Sequence, residues 1–296
     1  MTVRDAVSFA RVGYTYPSSV LPALTSVTFS VPEGSSFALL GQNGAGKTTL
    51  LRLLCGLLGK NYSGNISFSK QNPGVLLENP GVYAQLSAEE YLEFFGKFYA
   101  LKDLKARISF LAARLDFPQL KQRMGKLSLG NKQKVQIMRT FLHCPSFLIL
   151  DEPVANLDPL SRLLVWELLE DWKKEAGGTA IICSHVLKEI ENWATHFAIL
   201  DAGVLKNSGT LAGLESQEKV VRVRLRESLE RIPFSILNFP YLKNAELISG
   251  GFSYSCEDPE MVNPRIIEIL LAEKFSVISV SIQKKSLDDF YRETLE

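Results

Sequence analysis

Nothing in the 296-residue sequence approaches the roughly 18 consecutive apolar residues that a membrane-spanning helix requires. The opening MTVRDAVSFARVGY also lacks the apolar core of a signal peptide. The chain is therefore expected to be soluble, and any membrane role needs a partner. Cysteine is scarce: Cys55, Cys144, Cys183 and Cys256 stand far apart with no C-x-x-C pair. That spacing indicates neither a zinc site nor a disulfide framework, and it suits a reducing compartment. Charge of neither sign predominates, since 33 Lys and Arg face 32 Asp and Glu for a formal net charge of +1. The balance offers no electrostatic case for binding nucleic acid or an anionic membrane. Internal repeats and low-complexity tracts are absent too. What is present, 46% hydrophobic and 22% charged residues, describes a globular chain with one substantial core and a smaller second one.

Ala23 to Val31 alternates apolar and polar residues as a half-buried strand does, and Pro32-Glu33-Gly34 turns the chain into a more buried strand, Ser35 to Leu40. Glycines then open a helix expected over about Lys47 to Leu58. Ser87-Ala-Glu-Glu90 forms a capping box ahead of YLEFFGKFYAL, the start of a mostly helical region reaching about Phe117. FLIL (147–150) and TAIICS (179–184) are short apolar runs of the parallel-sheet kind, with the helix SRLLVWELLEDWKKEAGG between them. A hairpin follows, turning at Asp201-Ala202-Gly203. Beyond about Glu215 the pattern becomes that of a small α+β unit, with strands in KVVRVRLRES, AELIS, FSYSC and SVISVSI. Asn263-Pro264 is expected to cap the helix RIIEILLAEKF, and SLDDFYRETLE ends the chain as a helix.

GQNGAGKT, Gly41 to Thr48, matches G-x-x-x-x-G-K-[ST] between an expected strand and helix. Glycines at these positions let backbone N–H groups converge on phosphate oxygens at a helix N-terminus. Lys47 neutralises the β- and γ-phosphates, and the Thr48 hydroxyl ligates Mg²⁺. A guanine-specific protein carries Asn-Lys-x-Asp after a strand. The nearest string here, Asn131-Lys132-Gln133-Lys134, has a Lys in place of the acid, so a GTPase is disfavoured. FLILDEP sets Asp151 and Glu152 directly after an apolar strand, the end at which α/β sheets bind ligands. Asp151 can hold Mg²⁺ through water, and Glu152 can polarise the attacking water. Asn156-Leu157-Asp158 follows within a turn, and His185 stands at the mouth of the next strand. His143 and His196 lie on expected helices and read as structural.

GQNGAGKTT, KLSLGNKQKVQ, FLILDEP, NLD and CSH occur in the order and spacing of the nucleotide-binding subunit of ABC transporters, and the chain resembles that family from Met1 to about Leu214. The resemblance implies the ABC ATPase form of the α/β P-loop NTPase fold over 1–214, with a helical signature subdomain at about 85–145 and a C-terminal α+β accessory domain over 215–296. It implies ATP bound by Gly41, Gln42, Asn43, Gly44, Ala45, Gly46, Lys47, Thr48 and Thr49, with Mg²⁺ at Thr48 and Asp151. LSLG resembles the family's Leu-Ser-Gly-Gly-Gln signature, departing from it at Leu129 and Asn131 and keeping Ser128 and Gly130, the two positions that contact phosphate. That signature caps the ATP of a second subunit paired head to tail, from the start of a helix expected over Asn131 to His143, while Lys132 and Lys134 stay on the surface.

By the same resemblance Asp158 lies at the dimer seam, His185 senses the γ-phosphate, and Glu152 is the general base. Tyr16 matches the aromatic that stacks on adenine, with Tyr14 as the competing candidate. Glu78 occupies the place of a glutamine that the family offers to Mg²⁺, the alternative being that it is a plain loop acid. The implied function is ATP hydrolysis driving a separate transmembrane permease, most similar to the exporters that handle drugs, antibiotics, sodium or polysaccharides, on the inner face of the cell membrane. A soluble ABC-type ATPase of translation or DNA maintenance is the alternative. Most aromatics of the helical subdomain are expected to form its own core, the remainder meeting the membrane partner.

Overall fold

The computed structural model describes residues 4–68, 72–77, 81, 83–184, 187–215, 219–283 and 287–295. In chain order the first strands are β1 (Asp5–Tyr14), β2 (Leu24–Pro32) and β3 (Ser36–Leu40), followed by helix α1 (Lys47–Leu54), β4 (Ser63–Phe68) and β5 (Gly74–Leu76). Three helices come next, α2 (Ala88–Phe98), α3 (Leu104–Arg114) and α4 (Leu129–Phe141). Then follow β6 (Phe147–Asp151), α5 (Pro159–Ala176), β7 (Thr179–Cys183), α6 (Leu187–Trp193), β8 (His196–Asp201) and β9 (Val204–Thr210). The remainder is α7 (Leu211–Glu215), β10 (Lys219–Leu225), α8 (Phe234–Leu237), β11 (Lys243–Ile248), β12 (Gly251–Cys256), α9 (Pro259–Ala272), β13 (Val277–Gln283) and α10 (Leu287–Leu295). The chain separates into two compact units, Met1–Gly209 and Thr210–Thr294.

The first unit is built on a six-stranded sheet in the order β5-β6-β7-β3-β8-β9, in which β5, β6, β7, β3 and β8 run parallel. β3, β6 and β7 are buried at every residue, as strands covered on both faces must be. That order sets the C-terminal ends of β3 and β6 on one rim with β7 between them. A three-stranded antiparallel sheet, β2-β1-β4, adds Phe9, Val12, Val27 and Phe29 to the same core. The strands β1, β4 and β5 are not legible from alternation: β1 is broken by register shifts against both neighbours, with Arg11 at φ 53°, and β5 has only three residues.

The capping box at α2 is present, with Ser87 accepting from the Glu90 N–H and Glu90 accepting from the Ser87 N–H. Helix α1 stops at Leu54, short of the expected Leu58, because Gly56 turns the chain at φ 71°. His143 lies just past α4, and His196 opens β8 instead of lying on a helix. The aromatics of the helical region divide differently from expectation. Tyr91 is fully buried, whereas Phe94, Phe98, Tyr99 and Phe110 are exposed.

In the second unit, the antiparallel sheet β11-β12-β10-β13 packs Val221, Val223, Phe252 and Tyr254 against Val262, Ile266 and Leu270 of α9. The helix does not begin at Asn263-Pro264. Asp258 caps it five residues earlier by accepting from the Glu260 and Met261 N–H groups, with Pro259 at the first helical position. The stronger cap sits upstream, and Asn263 instead accepts the Tyr254 hydroxyl at 2.6 Å. Pro264 is therefore inside the helix and exposed, where it has no N–H for the Glu260 carbonyl. Pro264→Ala is expected to stabilise this unit by about 1–3 kcal/mol, read by urea denaturation of the full chain. An unchanged or lowered midpoint would show that the proline is not a defect.

Candidate active site

The phosphate loop leaves the end of β3 and enters α1 in a conformation that its glycines make possible. Gly46 sits at φ 100°, and a Cβ there would lie 2.7 Å from the Ala23 carbonyl oxygen and 2.8 Å from a Leu24 methyl. Among the described residues no side chain caps α1, so the first-turn N–H groups that a helix cannot satisfy internally are available to an anion. Around Gly44 the space is open, and a Cβ there would meet nothing within 4 Å. Lys47 is buried, and its amine donates to the carbonyls of Gly41 at 2.7 Å and Gln42 at 3.0 Å. A cation is thus held at the centre of the loop Gly41, Gln42, Asn43, Gly44, Ala45, Gly46.

Thr48 donates its hydroxyl to Asp151 Oδ2 at 2.7 Å, so two oxygen ligands of the kind a hard divalent cation takes already stand together. These residues fit Mg²⁺. Asp151 is buried at the end of β6. Glu152 follows in the left-handed region at φ 50°, with its N–H bonded to the Cys183 carbonyl at 2.9 Å. Burial, and next the Asp151 carboxylate, push the Cys183 thiol well above its usual range, so it stays a neutral wall between strands. Tyr16 meets Thr49 through their hydroxyls at 3.1 Å. Tyr14 packs edge-on against Tyr16 but is only 7% exposed, which leaves the half-buried Tyr16 as the ring beside the loop.

Ser128 and Leu129 are exposed, and Ser128 caps α4 by accepting from the Asn131 N–H at 3.2 Å. The helix therefore starts two residues before Asn131, as a serine in extended conformation with its side chain over the first turn dictates. A capping hydroxyl still has its hydrogen to donate. Asn131 spends its side-chain N–H on Gln119. Lys134 is not a surface residue: it is 8% exposed, with its amine on the Asp116 carbonyl, because α4 is buried on the face carrying Lys134, Val135 and Met138. Asp158 is exposed and caps α5, accepting from the Ser161 N–H at 3.0 Å and hydroxyl at 2.6 Å. Those bonds hold its carboxyl below the usual range.

Lys47, Thr48, Asp151 and Glu152 are thus brought to one rim, with Tyr16 on Thr49. Among the described residues no hydrogen bond joins Ser128, Gly130 or Asn131 to Gly41–Thr49. Glu78 and His185 lie outside the described residues. Sequence reasoning missed Gln133, whose side-chain amide donates to the Glu152 carbonyl at 3.2 Å and the Pro153 carbonyl at 2.9 Å. Its position one turn beyond Gly130 was the available signal.

The ABC transporter family profile matches residues 24–155. The uncharacterized ABC transporter ATP-binding protein YxlF of Bacillus subtilis (strain 168) is 34% identical over 219 residues, 70% of this chain and 73% of that protein. The bacitracin transport ATP-binding protein BcrA of Bacillus licheniformis is 36% identical over 189 residues, 60% of this chain and 62% of BcrA. A solved ATP-binding subunit of an ABC transporter superposes with a TM-score of 0.65 at 29% identity, over 72% of this chain and 92% of that one. The dimeric cassette MJ0796 shares the fold, with a TM-score of 0.63 at 19% identity over 69% of this chain and 98% of its own. The chain belongs to the ATP-binding subunits of ABC transporters, a family of ATP hydrolases with a mixed α/β cassette fold.

Since Gly46 is held against Ala23, Gly46→Ala forces the loop to shift. ATP affinity measured by calorimetry is expected to fall about tenfold or more while the circular dichroism spectrum is kept. Unaltered affinity would show that the loop tolerates the move.

Proposed function

We propose that two copies of this chain, or this chain and a similar subunit, pair head to tail around two ATP molecules and power export by a separate membrane permease. The observation that carries the reading is the Thr48–Asp151 hydrogen bond, which sets the phosphate loop beside the acid pair. Lys47 binds the β- and γ-phosphates, with Gly41 to Thr49 supplying backbone donors. Thr48 and Asp151 would hold Mg²⁺, with Glu78 as a further oxygen ligand, and the ion supplies charge neutralisation on the phosphates. Glu152 accepts the proton of the attacking water, His185 contacts the γ-phosphate, and Tyr16 stacks on adenine.

The exposed start of α4 supports a signature that works in trans: Ser128, Gly130 and Asn131 present a helix N-terminus to the partner's ATP, and Asp158 lies at the seam. Tyr83, Phe94 and Phe98 form an exposed aromatic cluster, with successive ring centroids 5.7 and 5.3 Å apart, which supports a protein partner at the helical region. Among the described residues no helix is long and apolar enough to cross a membrane; a permease on another chain and a place at the inner membrane face are part of this proposal. The bacitracin-transport relative supports a role in transport, and the export direction is part of the same proposal. The assignment of 1–214 to ATP binding and 215–296 to an accessory role is part of the same proposal.

Glu152→Gln is expected to lower hydrolysis on the order of 10²- to 10⁴-fold while ATP binding persists and the dimer accumulates on size exclusion. Full steady-state turnover would refute the base assignment. Ser128→Arg should leave ATP binding by the monomer nearly untouched yet abolish ATP-driven dimerisation. Loss of binding in the isolated monomer would contradict a site shared between subunits.

A further inference from the structure

The N-terminal turns of α4 carry two residues that meet the loop following β6 in the same chain. A Cβ on Gly130 would lie 2.8 Å from the Asn156 carbonyl oxygen and 3.7 Å from a Leu157 methyl, so the helix backbone rests directly on that loop. Gln133, three residues on and therefore on the same helix face, donates its side-chain amide to the carbonyls of both Glu152 and Pro153.

Those two bonds fall on a segment whose backbone is held in an unusual conformation. Glu152 and Asn156 both adopt left-handed backbone, at φ 50° and 61°, a conformation that is costly for a non-glycine residue and persists only when surroundings impose it. The Glu152 N–H is fixed by the Cys183 carbonyl of β7. Its carbonyl is met by the Ala155 N–H at 3.2 Å and by Gln133. The peptide units on the two sides of the Glu152 α-carbon are thus held by different elements, the sheet on one and the signature helix on the other. The direction in which the carboxylate leaves the chain depends on both.

We infer that Gln133 is a positioning residue for hydrolysis: it ties the signature helix to the Glu152–Asn156 loop, so that contact made at Ser128 and Gly130 is transmitted to the carboxylate acting at the other half-site of the same chain. This rests on the assignment of Glu152 as the general base. The coupling path is short and physical. Gly130 and Gln133 belong to one helix, and a close-packed helix moves as a body, so its displacement carries two carbonyls of the acid loop with it.

The test is Gln133→Met, which keeps the length of the side chain and removes both donors. The expected result is kcat lowered about 10- to 100-fold, the scale of a misplacement near 1 Å, with KM for ATP, ATP affinity and the thermal midpoint essentially kept. In the Glu152→Gln background the same change is expected to cost nothing further, since a residue acting through Glu152 has no effect once the carboxylate is gone. Unchanged kcat in Gln133→Met overturns the inference, as does a loss that multiplies in full with that of Glu152→Gln, or a loss that merely follows the folded fraction. An inactive Glu152→Gln beside a fully active Gln133→Met overturns this inference alone. Full turnover in Glu152→Gln by itself overturns the base assignment, and the inference with it.

Discussion

Thr48 and Asp151 lie 103 residues apart in the chain and meet at 2.7 Å, and the rest of the first unit can be understood as what holds them there. A phosphate loop is a short run of backbone with little hydrophobic content to fix it, here only the buried Ala45. Its position is inherited from β3, which is buried at every residue and hydrogen-bonded on both sides, to β7 and β8. The acid pair inherits its position from β6 in the same way. With β7 between them and all three strands parallel, both loops leave the sheet at one rim, where the hydroxyl reaches the carboxylate. The geometry that would receive a divalent cation is therefore a property of strand order.

Around that contact the packing is unusually free of choice. Ala23 stands against Gly46, which leaves no volume for a side chain there. Asn156 stands against Gly130 in the same manner. Cys183 fills the space beside Asp151 as an uncharged thiol, kept neutral by burial. These neighbours come from separate parts of the chain, so the fold clamps the loops in addition to the bonds within them. The second unit keeps its own core of Val221, Val223, Phe252, Tyr254, Val262 and Ile266 and contains none of these groups.

Much of this was legible in advance. The loop GQNGAGKT, the acids after FLIL, the buried strands, the Ser87–Glu90 capping box and the family itself follow from local pattern, because each depends on a few neighbouring residues and a period of two or 3.6. The failures have equally local causes. Asn263-Pro264 looked like a helix start, but Asp258-Pro259 caps first. The charge of Lys134 suggests a solvated position, but the phase of α4 turns it inward, where the Asp116 carbonyl receives its amine. The strands β1, β4 and β5 escaped notice because bulges and brevity erase alternation.

By itself the sequence determined which groups the chain carries: a glycine-rich loop ending in a lysine and a threonine, an acid pair after a strand, and a serine able to cap a helix. Only the tertiary structure decided which of these share a rim and which stand apart, that Tyr16 and not Tyr14 lies beside the loop, and that Gln133 reaches the backbone of Glu152. The reason is that residue type and spacing act over a turn or a strand. Contacts between residues 19 or 103 positions apart exist only after burial of the sheet has fixed strand order and helix phase.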